Sequence, residues 1–138
     1  MTIIILESRT LGIFRKSGNQ NTIKKLKTQI DRVGGLVFDF ENVNPHDLAG
    51  LLKQYFSELP DPIFTGTLSP KFIALSDTKD PQRKIEQLQD LMSLLSKPHQ
   101  DTAIYLLQFL AEVGRIEENS MGPRNLSVCF APTLFGKK

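Results

Sequence analysis

The chain has 138 residues and a mass of 15.6 kDa, which suits one domain with one hydrophobic core. Apolar residues at 40% and charged residues at 23% exclude a disordered or collagen-like polymer. No apolar run nears the ~20 residues of a membrane span, and a net charge of +2 argues against strong nucleic-acid binding.

The N-terminus has no basic n-region and no small-residue cleavage site, so no signal peptide is expected and the expected location is cytoplasmic. Charge is spread unevenly. Residues 1–35 hold seven basic groups against Glu7 and Asp31, whereas residues 36–66 hold Lys53 against Asp39, Glu41, Asp47, Glu58 and Asp61. Lys24, Lys25 and Lys27 read as a solvated helix face, with a patch for an acidic protein or anionic lipid as the alternative.

Ile23, Leu26, Ile30 and Val33 recur at helical spacing, with Asn21 or Thr22 as the cap and Gly34-Gly35 as the stop. Leu36 to Phe40 is short and extended-looking, a connector expected to pack on the core. Asn44-Pro45-His46-Asp47 opens the next helix: Asn caps, Pro takes the first position and Asp47 complements the dipole. Its expected buried face is Leu48, Leu51, Leu52, Tyr55 and Phe56, and Glu58-Leu59-Pro60-Asp61-Pro62 ends it.

Ser69-Pro70 opens a short helix with Phe72, Ile73 and Leu75. Asp80-Pro81 opens one with Ile85, Leu88, Leu91, Met92 and Leu95. Lys97-Pro98 opens the longest, with Ala103, Ile104, Leu107, Leu110 and Val113 inside. Glu117 to Gly122 reads as a polar loop. Leu126, Val128, Cys129 and Phe130 form a last helical stretch before Ala131-Pro132, with Cys129 a buried small hydrophobe. The expected fold is all-α, a single domain over residues 1–138 with six or seven helices.

Self-contained catalysis finds little support. The chain lacks a Walker-type phosphate loop, a dinucleotide fingerprint and a Gly-x-Ser-x-Gly nucleophile motif. Cys129 excludes an internal disulfide by being alone, and suits a reducing compartment. One cysteine with His46 and His99 cannot build an ordinary Cys/His zinc site, so no metal is expected. Glu117-Glu118 and Asp39 with Glu41 sit in polar segments and read as solvent-facing carboxylates.

Gly12-Ile13-Phe14-Arg15-Lys16-Ser17-Gly18 is more specific. Ile13 and Phe14 can anchor the loop in the core while Arg15 points outward, and Gly18 permits backbone that other residues avoid. An always-charged planar guanidinium at a fixed place suits a phosphoryl transition state. A plain surface or capping arginine is the alternative.

This loop, the helix-and-turn Leu51-Leu52-Lys53-Gln54-Tyr55-Phe56-Ser57-Glu58-Leu59-Pro60-Asp61-Pro62, and Asn125-Leu126-Ser127-Val128-Cys129-Phe130-Ala131-Pro132-Thr133-Leu134 together resemble the Rho GTPase-activating (RhoGAP) domain family. The three motifs stand in the family's order and spacing, and the resemblance covers nearly the whole chain. It implies a helical bundle of the RhoGAP type that activates a GTPase rather than an enzyme with its own active site. The partner implied is a Rho- or Rac-type small GTPase in its GTP-bound form, and GTP and Mg belong to that partner, so no cofactor of the chain's own is implied. Signal transduction is the implied context, with recruitment to membranes by the partner or flanking domains.

Residue by residue, the resemblance makes Arg15 the catalytic arginine finger, inserted in trans, with Gly12, Phe14 and Gly18 supporting its loop. Lys53, Asn125 and Pro132 match GTPase-binding positions. Many family members carry arginine where this chain has Ser57, and asparagine where it has Thr133. The family also has a helix before the finger, whose tail Leu6 to Arg9 resembles, and more helices after the last motif. The chain thus reads as shortened at both ends, which would expose apolar surface and favour dimers. A non-catalytic GTPase-binding module is the alternative function.

Overall fold

The computed structural model describes residues 9–34, 38–40 and 42–136. Every regular element among them is helical: α1 (Gln20–Val33), α2 (Pro45–Ser57), α3 (Ser69–Ala74), α4 (Pro81–Leu94), α5 (Lys97–Gly114) and α6 (Pro123–Phe135), with short 3-10 turns at Leu75–Asp77 and Glu117–Asn119. None of these helices is long and apolar enough to cross a membrane. The expected helix tail at Leu6 to Arg9 lies outside the described residues except for Arg9, which sits in a turn. Leu36 and Val37 of the connector also lie outside them.

Local chemistry sets most helix ends. The Asn44 side chain accepts from the His46 N–H at 2.9 Å, and that of Asp80 accepts from the Gln82 N–H at 3.1 Å. Gly34 ends α1 at φ +87°, its N–H bonded to the Ile30 carbonyl. The α1 cap is Asn19, not Asn21 or Thr22: its Oδ1 accepts from the Thr22 N–H at 3.1 Å, so the helix begins earlier than expected. Helix α6 also runs on through Pro132 to Phe135. Val128, whose carbonyl loses its intrahelical partner to that proline, and Pro132 are both exposed, so the gap lies on the solvent side.

Helix α6 packs against both α2 and α5, and α1 packs on α2. The core collects Leu48 and Phe56 from α2, Leu106, Phe109, Leu110 and Val113 from α5, and Leu126, Phe130 and Leu134 from α6. Several apolar residues face elsewhere than their spacing suggests. Tyr55 is 62% exposed and Val128 71%, and Ile73, Ile85, Leu88, Ile104 and Leu107 are also exposed. Cys129 is half-buried rather than buried. In α5 the sequence is apolar nearly all round. Two stripes compete there, and Ala103, Leu106, Leu110 and Val113 belong to the buried one.

Candidate functional site

Residues 10–16 fold into successive tight turns. The Ile13 N–H bonds the Thr10 carbonyl at 3.2 Å, and the Arg15 and Lys16 N–H groups bond the Gly12 carbonyl at 3.0 and 2.9 Å. Gly12 stands at φ +70° and Phe14 at φ +71°. A left-handed conformation is free for glycine but strained for an aromatic residue, by about 1–3 kcal/mol. Burial holds Phe14 there. Its ring is 2% exposed and meets Phe109 and Phe130 edge-to-face, with centroids 6.1 and 5.0 Å away.

Three bonds brace the loop, two of them to α2. Lys53 Nζ, from α2, donates to the Phe14 carbonyl at 3.2 Å, and the same ammonium lies 5.9 Å from the Phe130 ring centroid. The Gly12 N–H donates to the Asn119 carbonyl at 2.8 Å, just beyond α5. The Asn19 N–H donates to Asp47 Oδ1 at 2.6 Å, at the start of α2. Gly18 lies between these points, where a Cβ would sit 2.5 Å from Asp47 Oδ1 and 2.8 Å from the His46 carbonyl oxygen. Only a residue without a side chain lets the backbone pass there.

Buried Ile13 and Phe14 thus leave Arg15, Lys16 and Ser17 exposed on a fixed support. Beside them opens a cleft of about 380 Å³ lined by Arg15, Lys16, Gly18, Lys53, Ser57 and Glu58, among others. Glu58 is already engaged. Hydrogen bonds from Gln54 and from Lys27 Nζ, at 3.0 Å, hold its carboxyl below the usual carboxylate range, while the Glu58 carboxylate holds Lys27 above the usual lysine value. The cleft therefore presents its cations, which suits an anionic ligand or partner. Among the described residues, no group of three or more His, Cys, Asp and Glu comes together to hold a metal ion.

The RhoGAP domain family profile matches residues 2–138, practically the whole chain. This chain is a RhoGAP family member. It is 34% identical over 126 residues to Rho GTPase-activating protein 7 of dog, covering 91% of this chain and 12% of that protein. It is 35% identical over 126 residues to human StAR-related lipid transfer protein 13, covering 91% of this chain and 11% of that one. The RhoGAP chain thus spans about an eighth of the length of these relatives. Human Rho GTPase activating protein 15 superposes with a TM-score of 0.86 at 27% identity, covering 96% of this chain and 66% of the other. The BH domain from GRAF shares the fold, with a TM-score of 0.89 at 20% identity, covering 99% and 78%.

Within this RhoGAP chain the structure joins some expected site residues and separates others. Arg15, Phe14, Gly18 and Lys53 share the cleft, and Gly12 lies under the Arg15 and Lys16 side chains. Asn125 and Pro132 do not line it. Asn125 is exposed in the first turn of α6 and its Nδ2 donates to the Ser120 carbonyl at 3.4 Å, while Pro132 is exposed near the far end of that helix. The two departures from the family pattern are neighbours: Ser57 Oγ and Thr133 Oγ1 lie 3.4 Å apart.

Two supports of the loop escape a reading of the sequence. Asp47 reads there as a dipole residue, but it is buried and its carboxylate receives the Asn19 N–H. Asn119 reads as part of a polar loop, but it is fully buried. One signal was available: Met121, an apolar residue two positions on, marks a place where that loop enters the core.

Proposed function

We propose that this RhoGAP domain stimulates GTP hydrolysis by a Rho- or Rac-type small GTPase in its GTP-bound form, supplying Arg15 in trans. The observation that carries the reading is the placement of Arg15, an exposed guanidinium on a loop strained at Phe14 and braced by α2 and by the segments flanking α1 and α5. A support fixed before the partner arrives needs no reorganisation at the moment of reaction.

The chemistry belongs to the partner's nucleotide. Water attacks the γ-phosphorus of GTP, the bond to the bridging oxygen breaks, and negative charge builds on that oxygen and the transferring group. Arg15 donates to those oxygens as the charge develops. Such a finger is worth about 10³–10⁵ in rate in this class of reaction, roughly 4–7 kcal/mol. GTP and its Mg²⁺ arrive with the GTPase. Lys53 holds the finger loop through the Phe14 carbonyl and lines the cleft where the partner docks. Exposed Asn125 and Pro132 extend the contact along α6.

A non-catalytic binding module is the second reading. It is favoured by Ser57, which offers a hydroxyl to Thr133 at the cleft rim instead of a second cation. One experiment separates the two: single-turnover GTP hydrolysis by a panel of Rho- and Rac-type GTPases, with the wild-type chain and Arg15→Ala. The expected result is stimulation by the wild type, lost by about 10³-fold or more in Arg15→Ala, with affinity for the GTP-bound GTPase largely kept. Binding without stimulation by the wild type identifies the module. Equal loss of binding and rate in Arg15→Ala makes Arg15 a docking residue.

A further inference from the structure

We propose that Asn119 is a positioning residue for the Arg15 loop, an inference that rests on the reading of Arg15 as the finger. Asn119 is fully buried, and its backbone and side chain do different jobs. Its carbonyl accepts the Gly12 N–H at 2.8 Å, at the foot of the loop. Its side chain holds that carbonyl in place. Nδ2 donates to the Val113 carbonyl at 2.9 Å, in the last turn of α5, and Oδ1 accepts the Met121 N–H at 2.7 Å, just before α6 begins.

One buried amide therefore ties the end of α5, the approach to α6 and the base of the loop together. Gly12 accepts the turn bonds from Arg15 and Lys16, so its position sets where both side chains leave the surface. Lys53 braces the opposite side, at the Phe14 carbonyl. The described residues that line the cleft do not include Asn119. Its effect must pass through the loop, and it should therefore show in turnover rather than in docking.

The test is a cycle of Asn119→Ala, Arg15→Ala and the double variant. Stimulated single-turnover hydrolysis is read as kcat and KM for the GTPase, with Phe72→Ala, a core truncation in α3 packed on Phe64, as the destabilised control. Asn119→Ala is expected to lower kcat about 10–100-fold with KM for the GTPase nearly unchanged. In the Arg15→Ala background it should change nothing further. An unchanged kcat, or a joint change in kcat and KM like that of Phe72→Ala, overturns the proposal.

Hydrogen exchange of the wild-type chain supplies a second reading that needs neither a GTPase nor a folded variant. The Gly12 amide is expected to be protected far more than that of Ser17. Exchange of Gly12 as fast as Ser17 overturns the proposal. If wild type does not stimulate hydrolysis at all, the finger reading fails on its own, and Gly12 protection still decides whether Asn119 fixes the loop.

Discussion

Phe14 shows how a single residue can be both strained and indispensable. Its positive φ works against the fold, and its buried ring works for it. Truncation to alanine removes the packing on Phe109 and Phe130 and leaves the backbone strain, so Phe14→Ala should lose about 3–5 kcal/mol of stability in denaturant unfolding. Gly18 makes the complementary case. Gly18→Ala places a methyl against the His46 carbonyl and the Asp47 backbone, neither of which can rotate away. A loss of about 1–3 kcal/mol is expected in the same measurement, with stimulated hydrolysis falling as the loop shifts. Ser57→Arg tests the departure at the cleft rim. Higher stimulated turnover is expected if a second cation there assists Arg15, and an unchanged rate would mean that the Ser57–Thr133 pair serves in its place.

At the scale of elements, α1 and α2 frame the site, and their contact is close. A Cβ on Gly50 would lie 2.7 Å from Ile23 Cδ1. The Lys27–Glu58 pair joins α1 to the residue that caps the end of α2, at the cleft edge, with both side chains about half exposed. Its pH dependence has a definite sign. Glu58 titrates below its ordinary range, so its contribution is present above that range and fades as pH falls through the lowered value. Lys27 titrates above its ordinary value, so its contribution is complete below that value and fades as pH rises through the raised one. The melting difference between wild type and Lys27→Met should therefore be largest near neutrality, shrink in acid and shrink in high salt. A difference that persists in acid and 1 M salt would assign the effect to packing of the lysine stem.

Helix boundaries were largely legible from sequence because their causes are local. Asn44-Pro45 and Asp80-Pro81 carry cap and first-turn proline within two residues, and the structure uses both caps. Which face is buried was less legible where apolar residues surround a helix. Ile104 and Leu107 fit a helical period as well as Leu106 and Leu110 do, and only tertiary packing decides between them. The bonds that hold the site were not legible at all. Asn19 with Asp47, Lys53 with Phe14 and Gly12 with Asn119 join residues far apart in sequence, and no local rule links them. The resemblance to RhoGAP domains brought Arg15 and Lys53 together. The geometry adds that the lysine grips the loop's own backbone.

Across the whole molecule, stability is uneven. Helix α4 contributes no fully buried side chain among the described residues, whereas α5 contributes five and α6 three apolar ones to the core. Leu88→Ala in α4 should cost under about 1 kcal/mol, and Leu106→Ala in α5 about 2–5 kcal/mol. Amide exchange should likewise open α4 well before α5. The Arg15 loop belongs to the stable side, since its anchors reach α2, the segment just beyond α5 and the Phe130 ring of α6. That placement underlies the role proposed for Arg15, held ready for a charge that exists only during transfer. The most direct test is the affinity of wild type and Arg15→Ala for a Rho-type GTPase carrying GDP and aluminium fluoride, a mimic of the transferring phosphoryl group, and for the same GTPase carrying a non-hydrolysable GTP analogue. Arg15→Ala is expected to weaken the first complex strongly and the second little. Equal weakening of both, or of neither, would contradict the proposed role.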